Sequence, residues 1–323
     1  MLTPIQLQDE INSYLSELPL TRSPQELYKP IQYILSLGGK RIRPVLMLMA
    51  YNLYEEDVKP ILPSAAAIEI FHNYTLLHDD LMDHADMRRG KTTVHKLWDE
   101  NTAILSGDAM FVLAYQYMAN SPRHLNQMWT LFNLTALEIC EGQQFDINFE
   151  KRNDVTEAEY IEMIRLKTAV LLAASLKMGA IQAGASEEDA SLLYDFGINI
   201  GLAFQLKDDY LDVYGDPTVF GKNIGGDIAS NKKTYLLIKA LELASDCQKN
   251  ELNEWINQTD FNAEKKISAI IELYNQLNIK TACEQKIQEY YQKATEILNK
   301  VSVEAERKAE LQNMIFNLMY REN

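Results

Sequence analysis

The chain has 323 residues, 47% of them hydrophobic, with 13 Gly, 9 Pro and a formal net charge of -15 at pH 7. Such apolar content fills a sizeable core and excludes a disordered chain, while the acidic balance excludes a general nucleic-acid binder, which needs a basic surface. Few turn-forming residues set between long periodic apolar stretches point to an all-α protein.

In chain order, the apolar spacing predicts helices over 4-18, 24-37, 41-54, 60-84, 92-119, 122-149, 156-184 and 187-214, with shorter helices filling 231-320. Thr156-Glu157-Ala158-Glu159 and Ser186-Glu187-Glu188-Asp189 carry the signature of N-terminal caps, a hydroxyl for an early amide and acids for the positive helix end. The stretch from Ala169 to Ala185 is the most apolar, but Lys177 and Gln182 interrupt it and it is short for a membrane span, so it reads as a buried core helix. The least helical part of the interior is Gly215-Asp216-Pro217 through Gly225-Gly226-Asp227, read as an active-site flap that brings Lys222 and Lys232. No linker or low-complexity tract divides the chain, so residues 1-323 are expected to form a single domain. Cys140, Cys247 and Cys283 lack metal-ligand spacing and cannot all pair, as expected of reduced thiols in a cytoplasmic protein. Met1 to Gln6 lacks a basic segment followed by an apolar run, so no signal peptide is expected.

One acidic pattern occurs twice, as Asp79-Asp80-Leu81-Met82-Asp83 and as Asp208-Asp209-Tyr210-Leu211-Asp212. At about 100° per residue, the first, second and fifth positions of a helical segment fall within an arc of roughly 100°, so each motif presents three carboxylates on one face. Ionised carboxylates at this density repel one another without cations. Hard oxygen ligands suit Mg²⁺, which keeps waters and accepts substrate phosphate oxygens as further ligands. Because a helix bundle builds its sites from facing helices, both motifs are expected at the same end of a central cavity.

Two basic clusters accompany the acids: Gly38-Gly39-Lys40-Arg41-Ile42-Arg43-Pro44 and Arg88-Arg89-Gly90-Lys91. Arginine offers fixed multidentate donors to phosphate oxygens, lysine a mobile charge, and paired glycines let backbone amides approach an anion. The clusters could receive two diphosphates.

Together with Lys167-Thr168 and Gln205-Leu206-Lys207-Asp208, these motifs occur in the order found in the trans-isoprenyl diphosphate synthases, which the chain resembles from roughly residue 35 to 240. The resemblance implies an all-α isoprenoid-synthase helical bundle around a central cavity, normally a homodimer. Such enzymes use Mg²⁺, about three ions per active site, to condense isopentenyl diphosphate head-to-tail with dimethylallyl, geranyl or farnesyl diphosphate. It implies that Asp79, Asp83 and Asp208 bind magnesium directly, and that Asp80, Asp209 and Asp212 hold metal-bound waters or neighbouring lysines. Arg88, Lys167, Lys222 and Lys232 would grip the allylic diphosphate. Gly39, Lys40, Arg43, His72 and Arg89 match the isopentenyl diphosphate pocket. The Lys167 carbonyl, Thr168 and Gln205 would stabilise the carbocation, with Gln143 and Asp146 in support. His78, His84 and His95 read as structural neighbours of the site, and Arg321 as part of a frayed terminus. One departure stands out: Gly90-Lys91-Thr92-Thr93 replaces the family's usual Gly-Lys-Pro-Thr, which should alter the local turn.

The growing chain should run along the helix that carries the first motif, toward earlier residues. Tyr74 then lies about 7.5 Å beyond Asp79 and Phe71 about 4.5 Å further, with Thr75 a small neighbour. This pattern resembles short-chain geranylgeranyl diphosphate synthases, which predicts a C20 product with C15, the farnesyl diphosphate synthase reading, as its rival. A class I terpene cyclase would lack the glycine-lysine-arginine cluster, and a noncatalytic subunit of a heteromeric prenyl synthase would lose one acidic motif. A di-iron bundle would need Glu-x-x-His pairs, which do not appear.

Overall fold

The computed structural model describes residues 1-215, 224-258 and 260-319, and its backbone divides into two compact units. The first comprises Met1–Asn133, Ala174–Tyr194 and Val301–Leu311; the second comprises Leu134–Ala173, Asp195–Lys300 and the chain from Gln312 onward.

The first unit begins with α1 (Pro4–Ser16), opened by a capping box between Thr3 and Gln6 with proline at the start, where its missing amide costs nothing. It continues through α2 (Gln25–Ser36), α3 (Ile42–Asn52) and α4 (Leu62–Met82). Helix α4 is buried nearly all round in its first half, from Ala65 to Phe71, which marks it as a central helix rather than an amphipathic surface one. It lies along α6 (Glu100–Met118).

Between them the chain departs from the expected continuous helix over 92-119. Met87–Arg88 (β1) and Lys91–Thr92 (β2) form an antiparallel hairpin, followed by the short α5 (Val94–Leu97). The two loop residues, Arg89 and Gly90, have φ of 52° and 73°, the left-handed pair of a tight hairpin turn. Asp99 then breaks the helix pattern: it is extended, and its carboxylate accepts from the Thr102 amide at 2.8 Å, so α6 starts anew. Thr92 sits in β2 at the position where the family usually has proline, paired with Met87.

The second unit takes the later part of α7 (Leu125–Glu150), then α8 (Glu157–Ile164), a π-helical segment Arg165–Ala169, and the start of α9 (Val170–Gln182). The later part of α10 (Glu187–Tyr214) follows, then α11 (Gly226–Ala229), α12 (Tyr235–Leu243), α13 (Asp246–Asn257), α14 (Ala263–Gln276) and α15 (Ile279–Lys300). The last described helix, α16, is Ala305–Met319. The unit's core gathers Tyr160, Ile164, Leu202, Leu206, Leu236, Leu252, Leu273 and Cys283. The single helix expected over 156-184 is thus interrupted by a π turn at its centre. Among the described residues no helix is long and apolar enough to cross a membrane.

Candidate active site

In the first unit, the first acidic motif falls on the last turn of α4. The helix ends in a Schellman pattern: the Ala85 amide bonds the Asp80 carbonyl at 2.9 Å, the His84 amide bonds that of Leu81 at 3.3 Å, and His84 takes the left-handed conformation. Asp83 is the C-cap, its amide bonded to the Asp79 carbonyl at 2.9 Å. Three aspartates at the negative end of a helix dipole are unfavourable on their own. A cation relieves that arrangement.

The three carboxylates do not face the same surroundings. Asp79 is half-buried and Asp83 exposed, whereas Asp80 is buried. Its Oδ1 accepts from both Nε and Nη2 of Arg88, at 2.9 and 2.6 Å. Burial raises the Asp80 carboxyl above its ordinary value and the arginine bonds oppose that rise.

The hairpin sends the next residue elsewhere. Arg89 donates from Nη1 to the Gly38 carbonyl, and its guanidinium lies where a Cβ on Gly39 would meet Cζ at 2.8 Å. With φ of +124°, Gly39 is also in a conformation that other residues rarely adopt. Arg43 donates from Nη1 to His72 Nε2 at 3.0 Å. A guanidinium only donates, so Nε2 is the acceptor and the imidazole carries its proton on Nδ1. Burial first, then the charges of Arg43, Arg89, Arg88 and Arg41, hold His72 well below its ordinary range and therefore neutral. Lys40 is exposed beside this cluster. Arg89 thus meets the Gly38-Gly39 turn and Arg43 meets His72, while Arg88 is held by Asp80.

Arg41 was not singled out by sequence, and its position differs from that of its basic neighbours. It is buried, left-handed at φ 47°, and donates to Glu69 Oε1 at 2.6 Å, the Leu35 carbonyl at 2.6 Å and Asn12 Oδ1 at 3.1 Å. Asn73 also donates to Glu69 Oε1, at 2.9 Å. A basic residue between two glycines and a proline gives no sign of which neighbour turns inward.

Earlier on α4, the Tyr74 and Phe71 rings meet at a tilt of 55° with centroids 5.5 Å apart. Phe111 of α6 lies 5.3 Å from Tyr74, and Phe132 of α7 lies 5.3 Å from Phe71. Tyr115 joins Phe111 at 4.9 Å and Phe132 at 4.9 Å. Thr75 donates to the His72 carbonyl at 2.8 Å. Phe111, Tyr115 and Phe132 were missed by sequence reasoning, although Phe111 and Tyr115 show the i, i+4 spacing of one helix face.

In the second unit, the second acidic motif lies in the last turns of α10. Asp209 is buried and accepts from the Tyr160 hydroxyl and from Gln205 Nε2, the latter at 3.1 Å. Burial pushes its carboxyl up to about 7, against the lowering charge of Lys232. Asp212 Oδ2 accepts from the Asp227 amide at 3.0 Å, and Lys232 lies 3.8 Å from the Asp227 carboxylate. Lys167 and Thr168 occupy the π segment: Lys167 Nζ pairs with Asp146 at 2.6 Å, and Thr168 donates to Gln205 Oε1 at 3.0 Å. Thr168, Gln205, Asp209 and Tyr160 form one hydrogen-bonded chain. Lys222, Arg321 and the centre of the expected flap lie outside the described residues.

Among the described residues no three His, Cys, Asp or Glu side chains are gathered closely enough to hold a metal by themselves. Asp80, Asp209 and Asp212 are already hydrogen-bonded to protein, and all the acids of the two motifs offer hard oxygens at helix ends. Within each unit, such donors fit a cation that keeps waters and completes its shell with substrate oxygens, as Mg²⁺ does, better than one caged wholly by protein.

Aspartate-rich helix ends, an arginine hairpin and a lysine-threonine π turn accompany a chain whose relatives make it a prenyltransferase. The chain belongs to the polyprenyl synthetase family, whose model, described as Polyprenyl synthetase, matches residues 24-274. It is 43% identical over 228 residues to the geranylgeranyl diphosphate synthase of Methanosarcina mazei, covering 70% of each chain. It is 34% identical over 318 residues to the geranylfarnesyl diphosphate synthase of Aeropyrum pernix, covering 95% of this chain and 97% of that one. A crystal structure of a geranylgeranyl pyrophosphate synthase matches with a TM-score of 0.94 at 46% identity, covering all of both chains. A polyprenyl synthase from Caulobacter crescentus, complexed with calcium and isoprenyl diphosphate, matches with a TM-score of 0.89 at 27% identity over 99% of this chain and 97% of that one.

Proposed function

We propose that this chain condenses isopentenyl diphosphate with dimethylallyl, geranyl or farnesyl diphosphate to an all-trans C20 prenyl diphosphate. The observation that carries the reading is the division of labour at the hairpin, where Arg88 is tied to the acidic motif and Arg89 to the Gly38-Gly39 turn. Two anchors for two diphosphates distinguish condensation from cyclisation of a single one.

Arg88, Lys167, Lys222 and Lys232 bind the allylic diphosphate, and Gly39, Lys40, Arg43, His72 and Arg89 bind the isopentenyl diphosphate. Asp79, Asp83 and Asp208 would hold magnesium, whose positive charge would offset that of the diphosphate. Asp80 holds Arg88 in place, while Asp209 and Asp212 are held by Tyr160, Gln205 and the Asp227 amide. As the allylic C–O bond breaks, the bonding pair leaves with the diphosphate. The isopentenyl double bond then supplies the electron pair of the new C–C bond, and the adjacent carbon loses its proton to the departed diphosphate. The Lys167 carbonyl, Thr168 and Gln205 direct dipoles at the transient cation, which is where fixed electrostatics lower a barrier most.

Tyr74 and Phe71, backed by Phe111 and Phe132, form the floor that stops chain growth; C15 is the shorter alternative. The geranylfarnesyl relative favours C25 as the longer one. Residues 1-323 act as a single polyprenyl synthetase domain, a reading supported by a family match that spans parts of both units. Exposed Ile104, Leu105 and Val112 on α6 support a homodimer, and three free cysteines support a cytoplasmic location.

The test is to incubate the protein with Mg²⁺, isopentenyl diphosphate and each of the C5, C10 and C15 allylic diphosphates, and to weigh the products. Absence of any condensation product sinks the reading, and a cyclised hydrocarbon assigns the chain to the cyclases.

A further inference from the structure

The Lys167-Thr168 pair lies in a π-helical segment, Arg165–Ala169, and π turns occur chiefly at functional sites because the extra residue re-aims side chains and backbone carbonyls. Such a turn is less stable than the α-helix on either side, so something must hold it. Two glycines flank it at van der Waals limits. A Cβ at Gly142 of α7 would come within 2.4 Å of the Lys167 amide nitrogen and 2.8 Å of the Leu166 carbonyl carbon. A Cβ at Gly201 of α10 would come within 2.4 Å of Ala169 Cα and 2.5 Å of Ala169 Cβ. These are backbone atoms and a Cβ, which cannot swing aside.

The spacing along each flanking helix adds a second relation. Four residues after Gly142 comes Asp146, which pairs with Lys167 Nζ at 2.6 Å; four residues after Gly201 comes Gln205, which accepts from Thr168 at 3.0 Å. Residues four apart share a helix face. Each helix therefore presents the same grip, a bare backbone position and, one turn on, a polar side chain.

We infer that Gly142 and Gly201 are positioning residues for prenyl transfer, forming a backbone clamp that fixes the π segment so that the Lys167 carbonyl and the Thr168 hydroxyl keep their places during ionisation. The inference rests on the condensation reading above. The clamp acts on the cation stage and leaves isopentenyl diphosphate binding alone, since Lys40, Arg43, His72 and Arg89 belong to the other unit.

The experiment compares Gly142→Ala and Gly201→Ala with Gly179→Ala, whose Cβ would meet the Met47 carbonyl at 2.2 Å, a clash of the same kind ten residues beyond the π segment and within the first unit. Ala169→Gly is the fourth variant, since it loosens the clamp without adding a clash. Melting temperature, kcat, KM for each substrate and the fraction of allylic diphosphate ending as the alcohol are measured. Both flanking variants should lower kcat by about 10- to 100-fold, as expected for a misplaced reacting geometry. They should also raise the alcohol fraction and leave the KM for isopentenyl diphosphate unchanged. Gly179→Ala should lose comparable melting temperature yet keep its kcat within about 3-fold, a gap under 1 kcal/mol. Ala169→Gly should melt near the wild type with a several-fold lower kcat and more alcohol. The clamp is overturned if the flanking variants fold and keep wild-type kcat, or if Gly179→Ala loses kcat as they do. Should the flanking variants fail to fold, a wild-type kcat and alcohol fraction in Ala169→Gly overturns it as well. A wild type that forms no condensation product refutes the condensation reading itself, before any variant is compared.

Discussion

Arg41 Nη1 lies 2.6 Å from Glu69 Oε1, and both side chains are withdrawn from solvent. The pair joins the turn that carries Lys40 to the helix that carries His72 and, about two turns on, the first acidic motif. Removing one partner leaves the other charge buried without compensation, a loss of about 3-5 kcal/mol. Arg41→Met should therefore lower the urea midpoint strongly, whereas Arg41→Met combined with Glu69→Met should recover much of the loss. A double-mutant cycle by urea denaturation checks this. A loss in the double variant equal to the sum of the two single losses would mean that the two charges are not coupled.

Arg88 places two nitrogens on one oxygen of Asp80. Lysine carries charge but no planar fork. Arg88→Lys should raise the KM for the allylic diphosphate and reduce kcat, together costing about 1.5-3 kcal/mol, the range of hydrogen bonds to charged groups. Arg89→Ala should raise the KM for isopentenyl diphosphate alone. Steady-state kinetics with each substrate varied in turn separates the two, and a shared pattern would refute the division of labour.

His72 should make stability depend on pH in a defined direction. In the folded protein its pKa is well below the ordinary 6.5, because burial and four arginines disfavour the cation. The unfolded chain binds a proton near pH 6.5 that the folded chain does not, so stability falls as pH drops through that value. The contribution of this one group between pH 6.5 and 5.5 is about 1 kcal/mol. Comparing urea midpoints of the wild type and His72→Gln across that interval isolates it; parallel profiles would show that His72 titrates normally in the folded state.

Tyr74→Ala should lengthen the product by at least one isoprene unit. The structure adds that Phe111→Ala should do so too, because the Phe111 ring lies 5.3 Å from that of Tyr74. Product mass spectra with farnesyl diphosphate as starter decide this, and unchanged chain length in both variants removes the aromatic floor.

Metal removal should abolish turnover with little effect on folding. Among the described residues no ready cluster of three ligands exists, so ions are expected to bind firmly only together with a diphosphate. EDTA should leave the melting temperature nearly unchanged, while Mg²⁺ with inorganic diphosphate should raise it with the logarithm of ligand excess. A large fall in melting temperature with EDTA alone would point to a structural ion.

Helix periodicity made legible that each acidic motif lies near the end of a long helix, while the roles of Asp79, Asp83 and Asp208 rest on the resemblance. The inward turn of Arg41 was not legible, because composition treats it like Lys40 and Arg43 and only tertiary packing separates them. The hairpin was missed because strands of two residues leave no alternating pattern, and because a left-handed Arg89 is not an expected turn residue. The π turn at Arg165–Ala169 changes hydrogen-bond register without changing apolar content, so 156-184 reads as one helix. Phe111 and Tyr115 announce a helix face, but their encounter with Tyr74 depends on how α4 lies along α6.

The tight hairpin at residues 87-92 also bears on which changes this lineage can tolerate. Two consecutive arginines serve separate clients, one a carboxylate eight residues behind it and the other a carbonyl some fifty residues earlier, and a turn of only two residues keeps them apart. Insertion or deletion of a single residue there would displace both anchors together, with no intermediate that preserves either one. Length variation among descendants should therefore spare this hairpin.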